Sequence, residues 1–229
     1  MQDKKIDILL ENVEWQDIID VIVIIQQSFN IHFQEIELAE VKNFGELCDL
    51  IHEKIKLEHH DDCTSQQAYY KLSQALVSTL KLEKVNLNPD TLTEDIIPRK
   101  NRIKKVRMLE KTLDMKLLLL SPPGWIINTL IVIFLLSLLA FFFSATIAIS
   151  GLIFSISGFW ISNKTGKEIN VKTVGELTDH MATNNYLKSR RNPDTINKNE
   201  LNDVIKSLFS RNLDLDPSVL GRDAKFSRF

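Results

Sequence analysis

Between Lys116 and Lys164 the chain runs for 47 residues without an Asp, Glu, Lys or Arg. An uncharged apolar run of that length is the pattern of membrane spans, since about 20 apolar residues cross a bilayer as a helix. The apolar part extends from Trp125 to Ser162. As one straight helix it would be about 57 Å long at 1.5 Å per residue, whereas the hydrocarbon layer is about 30 Å thick. Two short spans are therefore predicted, Trp125–Phe143 and Ala145–Ser162. The rival is one span followed by an interfacial helix, because no Pro, Asn or Asp sits near Ser144 and Gly151 is off-centre.

The flanks orient the spans. Residues 99–116 carry eight cations, Arg99, Lys100, Arg102, Lys104, Lys105, Arg107, Lys111 and Lys116, against Glu110 and Asp114. Lys164, Lys167 and Lys172 follow the second span. Cations on both flanks place both termini in the cytoplasm, as two crossings require and one contradicts. The chain is thus expected in the cytoplasmic (inner) membrane as a multi-pass protein. Trp125 and Trp160 stand where interfacial aromatics belong, and Ser121-Pro122-Pro123-Gly124 breaks the helix just outside. The opening MQDKKIDILLENVEW is too charged for a signal peptide, so the hairpin is expected to be the targeting element.

The spans hold no Asp, Glu, Lys, Arg or His, the groups that proton relays and ion pathways use inside a bilayer. An anchor is expected, not a transporter. Elsewhere catalytic signatures are lacking. His59-His60-Asp61-Asp62-Cys63 has metal-ligand residue types without HxxxH or CxxC spacing. His32, His52 and His180 stand alone, and seven Gly leave little for a phosphate-cradling loop. No enzyme activity, cofactor or metal is predicted. A net charge of −2 argues against nucleic acid as a partner, and two Cys exclude a disulfide scaffold.

The soluble parts are helical in pattern. WQDIIDVIVIIQQSF (15–29) places Ile18, Ile22, Ile25 and Phe29 at 3.6-residue spacing, although its β-branched content makes a strand the rival. Asn43, with Glu46 three residues on, marks a helix start. Further helices are predicted over Thr64–Leu80, from Pro98 through the basic segment 99–116, near Val174–Met181 and over Lys198–Asn212. One motif recurs at an offset of 130: VKNFGELCD (41–49) and VKTVGELTD (171–179) share six of nine residues. Phe29 and Ile31 recur as Phe159 and Ile161, and the strings Leu80…Asp90 and Leu213…Asp223 are related.

Here a family resemblance emerges. Phe29-Asn-Ile-His-Phe33…Glu40-Val-Lys-Asn-Phe-Gly-Glu-Leu-Cys-Asp-Leu-Ile51 resembles the second half of an acyl carrier protein. Asn199–Phe226 is similar to that family's first helix and loop, and residues 66–115 resemble a first-plus-second helix pair. The resemblance implies an all-α fold of small acyl-carrier-like bundles, interrupted by the two-helix transmembrane hairpin. Residues 1–57 hold the second to last helices, completed by 196–229 as a first-helix-like segment, within one chain or between two. Residues 64–116 with 164–190 form the other bundle, and 125–162 the hairpin. The family carries phosphopantetheine on a Ser at the start of its second helix. Trp15 stands at that position here, and Pro98-Arg99-Lys100-Asn101-Arg102 in the second copy also lacks Ser.

The expected function is therefore a non-catalytic, membrane-anchored interaction or scaffold protein, linked through the resemblance to fatty-acid or secondary-metabolite synthesis. Arg99, Lys100, Arg102, Lys104, Lys105 and Arg107 are the expected contacts with membrane lipids or an acidic partner. A protein partner is implied without being named, and a homodimer is allowed. Two alternatives stand beside this: a working carrier modified at another serine (Ser28, Ser65 or Ser121), and a non-catalytic subunit of a membrane enzyme complex.

Overall fold

The computed structural model describes residues 13–81 and 87–226. The sequence-based expectations for 1–12, for 227–229 and for 82–86 within the first of the two related strings lie outside these residues. The first helices are α1 (Trp15–Phe29), α2 (Glu35–Glu40) and α3 (Phe44–Lys54), followed by the strand β1 (Glu58–His59) and α4 (Thr64–Leu80). Next come α5 (Thr93–Ile96), α6 (Arg102–Leu113), β2 (Leu120–Ser121), α7 (Gly124–Ala140), α8 (Ala145–Thr165) and β3 (Glu168–Ile169). The chain closes with α9 (Val174–Asn184), α10 (Tyr186–Ser189), β4 (Thr195–Ile196), α11 (Leu201–Leu213) and a 3-10 turn at Pro217–Val219. The protein is mostly helical and divides into two compact units, Met1–Leu72 with Thr178–Phe229 and Ser73–Leu177.

The first unit is built from both ends of the chain. α1 buries Ile18, Val21, Ile22, Ile25 and Phe29, which lie at helical spacing along one face, and this decides helix over strand for a β-branched segment. α1 packs on α10 and α11. One core joins those residues to Phe44, Leu47 and Ile51 of α3 and to Leu201, Ile205, Leu208, Phe209, Leu220 and Phe226. Each fully buried aliphatic or aromatic side chain contributes about 1.5–3 kcal/mol, so neither chain end is dispensable to this core. Helix ends are closed without glycine: Asn30 and Asp214 take the left-handed conformation at φ 49° and 51°, a role in which Asn and Asp are tolerated.

A buried polar knot ties the loops of this unit together. Arg190 is 1% exposed. Its guanidinium donates to the Thr64 hydroxyl at 2.6 Å, the Asp62 carbonyl at 3.1 Å, the His60 carbonyl at 3.3 Å and the Thr195 hydroxyl at 3.3 Å. β1 and β4 pair in parallel beside it. The Tyr186 hydroxyl donates to Glu200 at 2.7 Å and accepts the Asn197 N–H at 3.0 Å. Burial pushes that phenol up to about 12.

In the second unit α6 buries Val106, Leu109 and Leu113, and Leu117 and Leu119 follow them into its core. α6 begins at Arg102, not at Pro98 as the sequence suggested. Asn101 is left-handed, at φ 60°, so the chain turns there before the helix starts.

The two copies of the VK-x-x-GEL-x-D motif make the same local bonds, each within its own unit. Asn43 Oδ1 accepts the Glu46 N–H at 2.9 Å, and Thr173 Oγ1 accepts the Glu176 N–H at 3.1 Å. The Lys42 N–H donates to the Glu46 carboxylate at 2.6 Å, and the Lys172 N–H to Glu176 at 2.7 Å. Each helix start receives a passing segment antiparallel: Asn43 bridges to Lys225 and Thr173 to Leu92. The Phe44 and Gly45 N–H groups donate to the Ala224 and Arg222 carbonyls, as those of Val174 and Gly175 do to Thr91 and Pro89. The glycine follows from this approach, since a Cβ on Gly45 would lie 2.8 Å from the Arg222 carbonyl oxygen and one on Gly175 3.1 Å from that of Pro89.

Candidate membrane and headgroup site

α7 and α8 form an antiparallel hairpin. Gly158 lies against Leu130, where an added Cβ would come within 2.6 Å of a Leu130 methyl, and Gly151 lies against Ser137. The small residues let the helix backbones approach closely. The hydroxyls of Thr129, Ser137, Ser150, Ser155 and Ser157 donate to carbonyls of their own helix, so each is satisfied without water. At the base, β2 and β3 pair antiparallel, Leu120 with Ile169 and Ser121 with Glu168. The two ends of the hairpin therefore leave unit two side by side.

The outer surface of the hairpin is apolar and uncovered. Val132, Leu135, Leu139, Ile147, Ile153 and Phe154 are exposed, and Phe142 and Phe143 at the tip reach 86% and 91%. α8 has 21 residues and is long and apolar enough to cross a membrane; α7 has 17 and is shorter. The turn falls at Phe141–Ser144, where Ser144 is extended at φ −159°. Trp125 and Trp160 are exposed near the base, and Lys164 Nζ sits 4.7 Å from the centre of the Trp160 ring.

The expected basic contacts do not share one surface. Arg102 is corrected outright. It is 1% exposed, and its guanidinium donates to the Ile97 carbonyl at 2.9 Å, the Lys167 carbonyl at 2.6 Å and Glu94 at 3.1 Å. Three of its five N–H groups are spent on these bonds; it fastens the start of α6 to the segment that leaves α8. Arg99 pairs with Glu168 at 2.7 Å, a second tie to the same segment. Lys100, Lys104 and Arg107 are exposed and Lys105 is half-buried. Lys104 and Arg107 line a groove of about 510 Å³ together with Ile103, Met108, Lys111 and Lys167, with Asn101 and the buried Arg102 at its edge. Lys111 and Lys167 were not singled out as contacts from sequence. Lys111 follows Lys104 by two helical turns, a spacing that was legible; Lys167 reaches the groove only through the fold.

Trp15 is the first residue of α1, half-buried, with its ring 6.2 Å from Phe226 and edge-on to it. Of the alternative serines, Ser28 is 2% exposed; its hydroxyl donates to the Thr183 carbonyl at 2.6 Å and accepts the Tyr186 N–H at 2.9 Å. It is closed to a modifying enzyme. Ser121 donates to Asn170 at 2.7 Å, and Ser65 is exposed at the start of α4. His59, which ends β1, and His60 just after it are exposed beside Asp61 and Asp62, at 2.9 and 3.7 Å. Among the described residues no group of three metal-ligating side chains forms.

The chain matches no protein-family model, and neither a curated protein nor a solved structure is measurably similar to it.

Proposed function

We propose that the chain is a non-catalytic interaction protein held in the cytoplasmic membrane by the α7–α8 hairpin, with both helices crossing. The observation that carries this is the hairpin itself: two apolar helices, free of charged residues from Gly124 to Asn163 and uncovered on their outer faces, whose ends are clipped together by β2 and β3. An exposed apolar surface of this extent needs lipid or a partner to cover it. Length favours lipid. The Phe141, Phe142 and Phe143 N–H groups donate three residues back to Leu138, Leu139 and Ala140, continuing α7 as a 3-10 turn. Seventeen residues at 1.5 Å and three at about 2 Å extend the rod to about 31 Å, the thickness of the hydrocarbon layer. Since the hairpin's ends are side by side, both flanks lie on one face, and the cations at 99–116 make that face cytoplasmic.

The units on that face are read as degenerate acyl-carrier-like bundles, two copies of one supersecondary unit. The matched bonds around Gly45 and Gly175 support the pairing of copies, and Trp15 in place of the carrier serine supports a docking role without acyl transfer. Partners among enzymes that build acyl chains fit this reading. The anchor is tested by flotation with vesicles after alkaline carbonate extraction, and the topology by reporters fused after Phe229 and within Phe142–Ser144. A cytoplasmic signal at Phe229 with an external signal at the tip is expected; an external signal at Phe229 overturns the reading. The docking role is tested by intact mass after incubation with a phosphopantetheinyl transferase, where a mass gain would restore a working carrier.

A further inference from the structure

We infer that the groove between α6 and the segment leaving α8 holds the phosphate headgroup of an anionic glycerophospholipid; this rests on the hairpin being the membrane anchor. Three observations converge. Lys104, Arg107 and Lys111 stand at i, i+3 and i+7 of α6 and face Lys167 across a groove of about 510 Å³ with Ile103 and Met108 in its walls. No carboxylate among the described residues pairs with any of these four cations. Unit Ser73–Leu177 as a whole has 13 Lys and Arg against 8 Asp and Glu, a net of +5, so the groove stands in a positive field.

The groove is also held at headgroup depth. Lys167 lies two residues beyond the end of α8 at Thr165. Arg102 bonds the Lys167 carbonyl at 2.6 Å and Arg99 pairs with Glu168 at 2.7 Å, so the basic face of α6 starts where the apolar hairpin stops. A lipid phosphate meets the cations there while its glycerol and upper acyl carbons meet Ile103, Met108 and the alkyl stems of the lysines. A diffuse polybasic surface would need neither the apolar walls nor the clamp. A choline headgroup brings its own cation into the same space and is disfavoured.

The experiment uses the full chain in neutral detergent micelles, with phosphatidylglycerol or phosphatidylcholine titrated in and retained lipid counted by native mass spectrometry. Phosphatidylglycerol is expected to be held at least about tenfold more tightly than phosphatidylcholine. The triple variant Arg107→Gln/Lys111→Gln/Lys167→Gln loses that preference. The charge-matched variant Lys100→Gln/Lys105→Gln/Lys172→Gln, outside the groove, stays within about twofold of wild type. Equal losses in both variants, or no preference in wild type, overturn the groove. Displacement of the lipid by inorganic phosphate at the same concentration also overturns it, by making a free anion the occupant. Flotation of each variant with phosphatidylcholine vesicles reads anchorage separately, so failure of the hairpin and failure of the groove are distinguishable.

Discussion

The core that joins the chain's two ends can be broken from one end and observed from the other. Phe209 of α11 is fully buried, with its ring 5.3 Å from Phe44 and 6.2 Å from Phe226; the Phe226 ring is in turn 6.2 Å from Trp15. Four aromatic rings thus run in contact from the head of the chain through two in its tail and back to the head. Phe209→Ala removes a fully enclosed ring that cannot be replaced by water, at a cost of about 3–5 kcal/mol. With a urea dependence of about 2 kcal/mol per molar, the unfolding midpoint falls by about 2 M. The chain has three Trp, so Trp125→Phe/Trp160→Phe leaves Trp15 as sole reporter. Its emission, followed in urea with the protein in micelles, shifts down by about 2 M in Phe209→Ala and by a similar amount in Phe44→Ala. A Trp15 transition that stays within about 0.5 M of the parent in Phe209→Ala refutes the single cooperative core.

Four further outcomes follow from buried contacts. Arg102→Gln leaves the Lys167 carbonyl and Glu94 without their donor and lowers the stability of the second unit by about 2–4 kcal/mol in thermal melts, and Arg102→Lys does not restore it, because one ammonium cannot reproduce the fork. Cys48 is buried and its thiol pushed up to about 12 by that burial, whereas Cys63 is exposed; one thiol reacts with iodoacetamide at pH 8, and peptide mapping finds it at Cys63. An unfolded Cys48 ionises near 8.5, so its folded-state elevation contributes stability below that pH which is lost as the pH rises through 9–12; Cys48→Ala flattens this alkaline limb. Gly158→Leu drives a side chain into Leu130 and splays the hairpin, read as increased spacing between spin labels at residues 133 and 154.

Much of this architecture is legible in sequence where one interaction dominates. The 47 uncharged residues announce the hairpin, and 3.6-residue spacing overrides β-propensity in α1 because its core face is continuous. Asn43 and Glu46 announce the start of α3 since capping is local. What was not legible is tertiary. Arg102 reads as one more surface cation in RKNRIKK, and nothing local shows that Asn101 turns the chain so that it points inward. Arg190 in KSRRNPD looks equally ordinary, yet four oxygens from residues 60, 62, 64 and 195 converge on it. Lys167 joins the groove through a contact 65 residues away from it in the chain.

The arrangement of insertions predicts one further experiment. The second unit lies between residues 72 and 178 of the first, and the hairpin lies inside the second. An insertion disturbs its host least when its ends are adjacent, and here Ser121 pairs with Glu168 across one strand spacing, about 4.8 Å. The hairpin should therefore be removable. Replacing residues 123–166 by Asn-Gly joins Pro122 to Lys167 by a two-residue turn that suits an antiparallel pair and keeps the Lys167 carbonyl for Arg102. If the hairpin is an anchor, the shortened chain is soluble without detergent and keeps the helical circular dichroism of both units. Trp125 and Trp160 leave with the excised segment, so Trp15 again reports the first unit, at an unchanged urea midpoint. If α7 and α8 instead serve as core for the soluble units, about 44 residues of packing vanish at once. The protein then unfolds or precipitates, a result that no membrane role for the hairpin would survive.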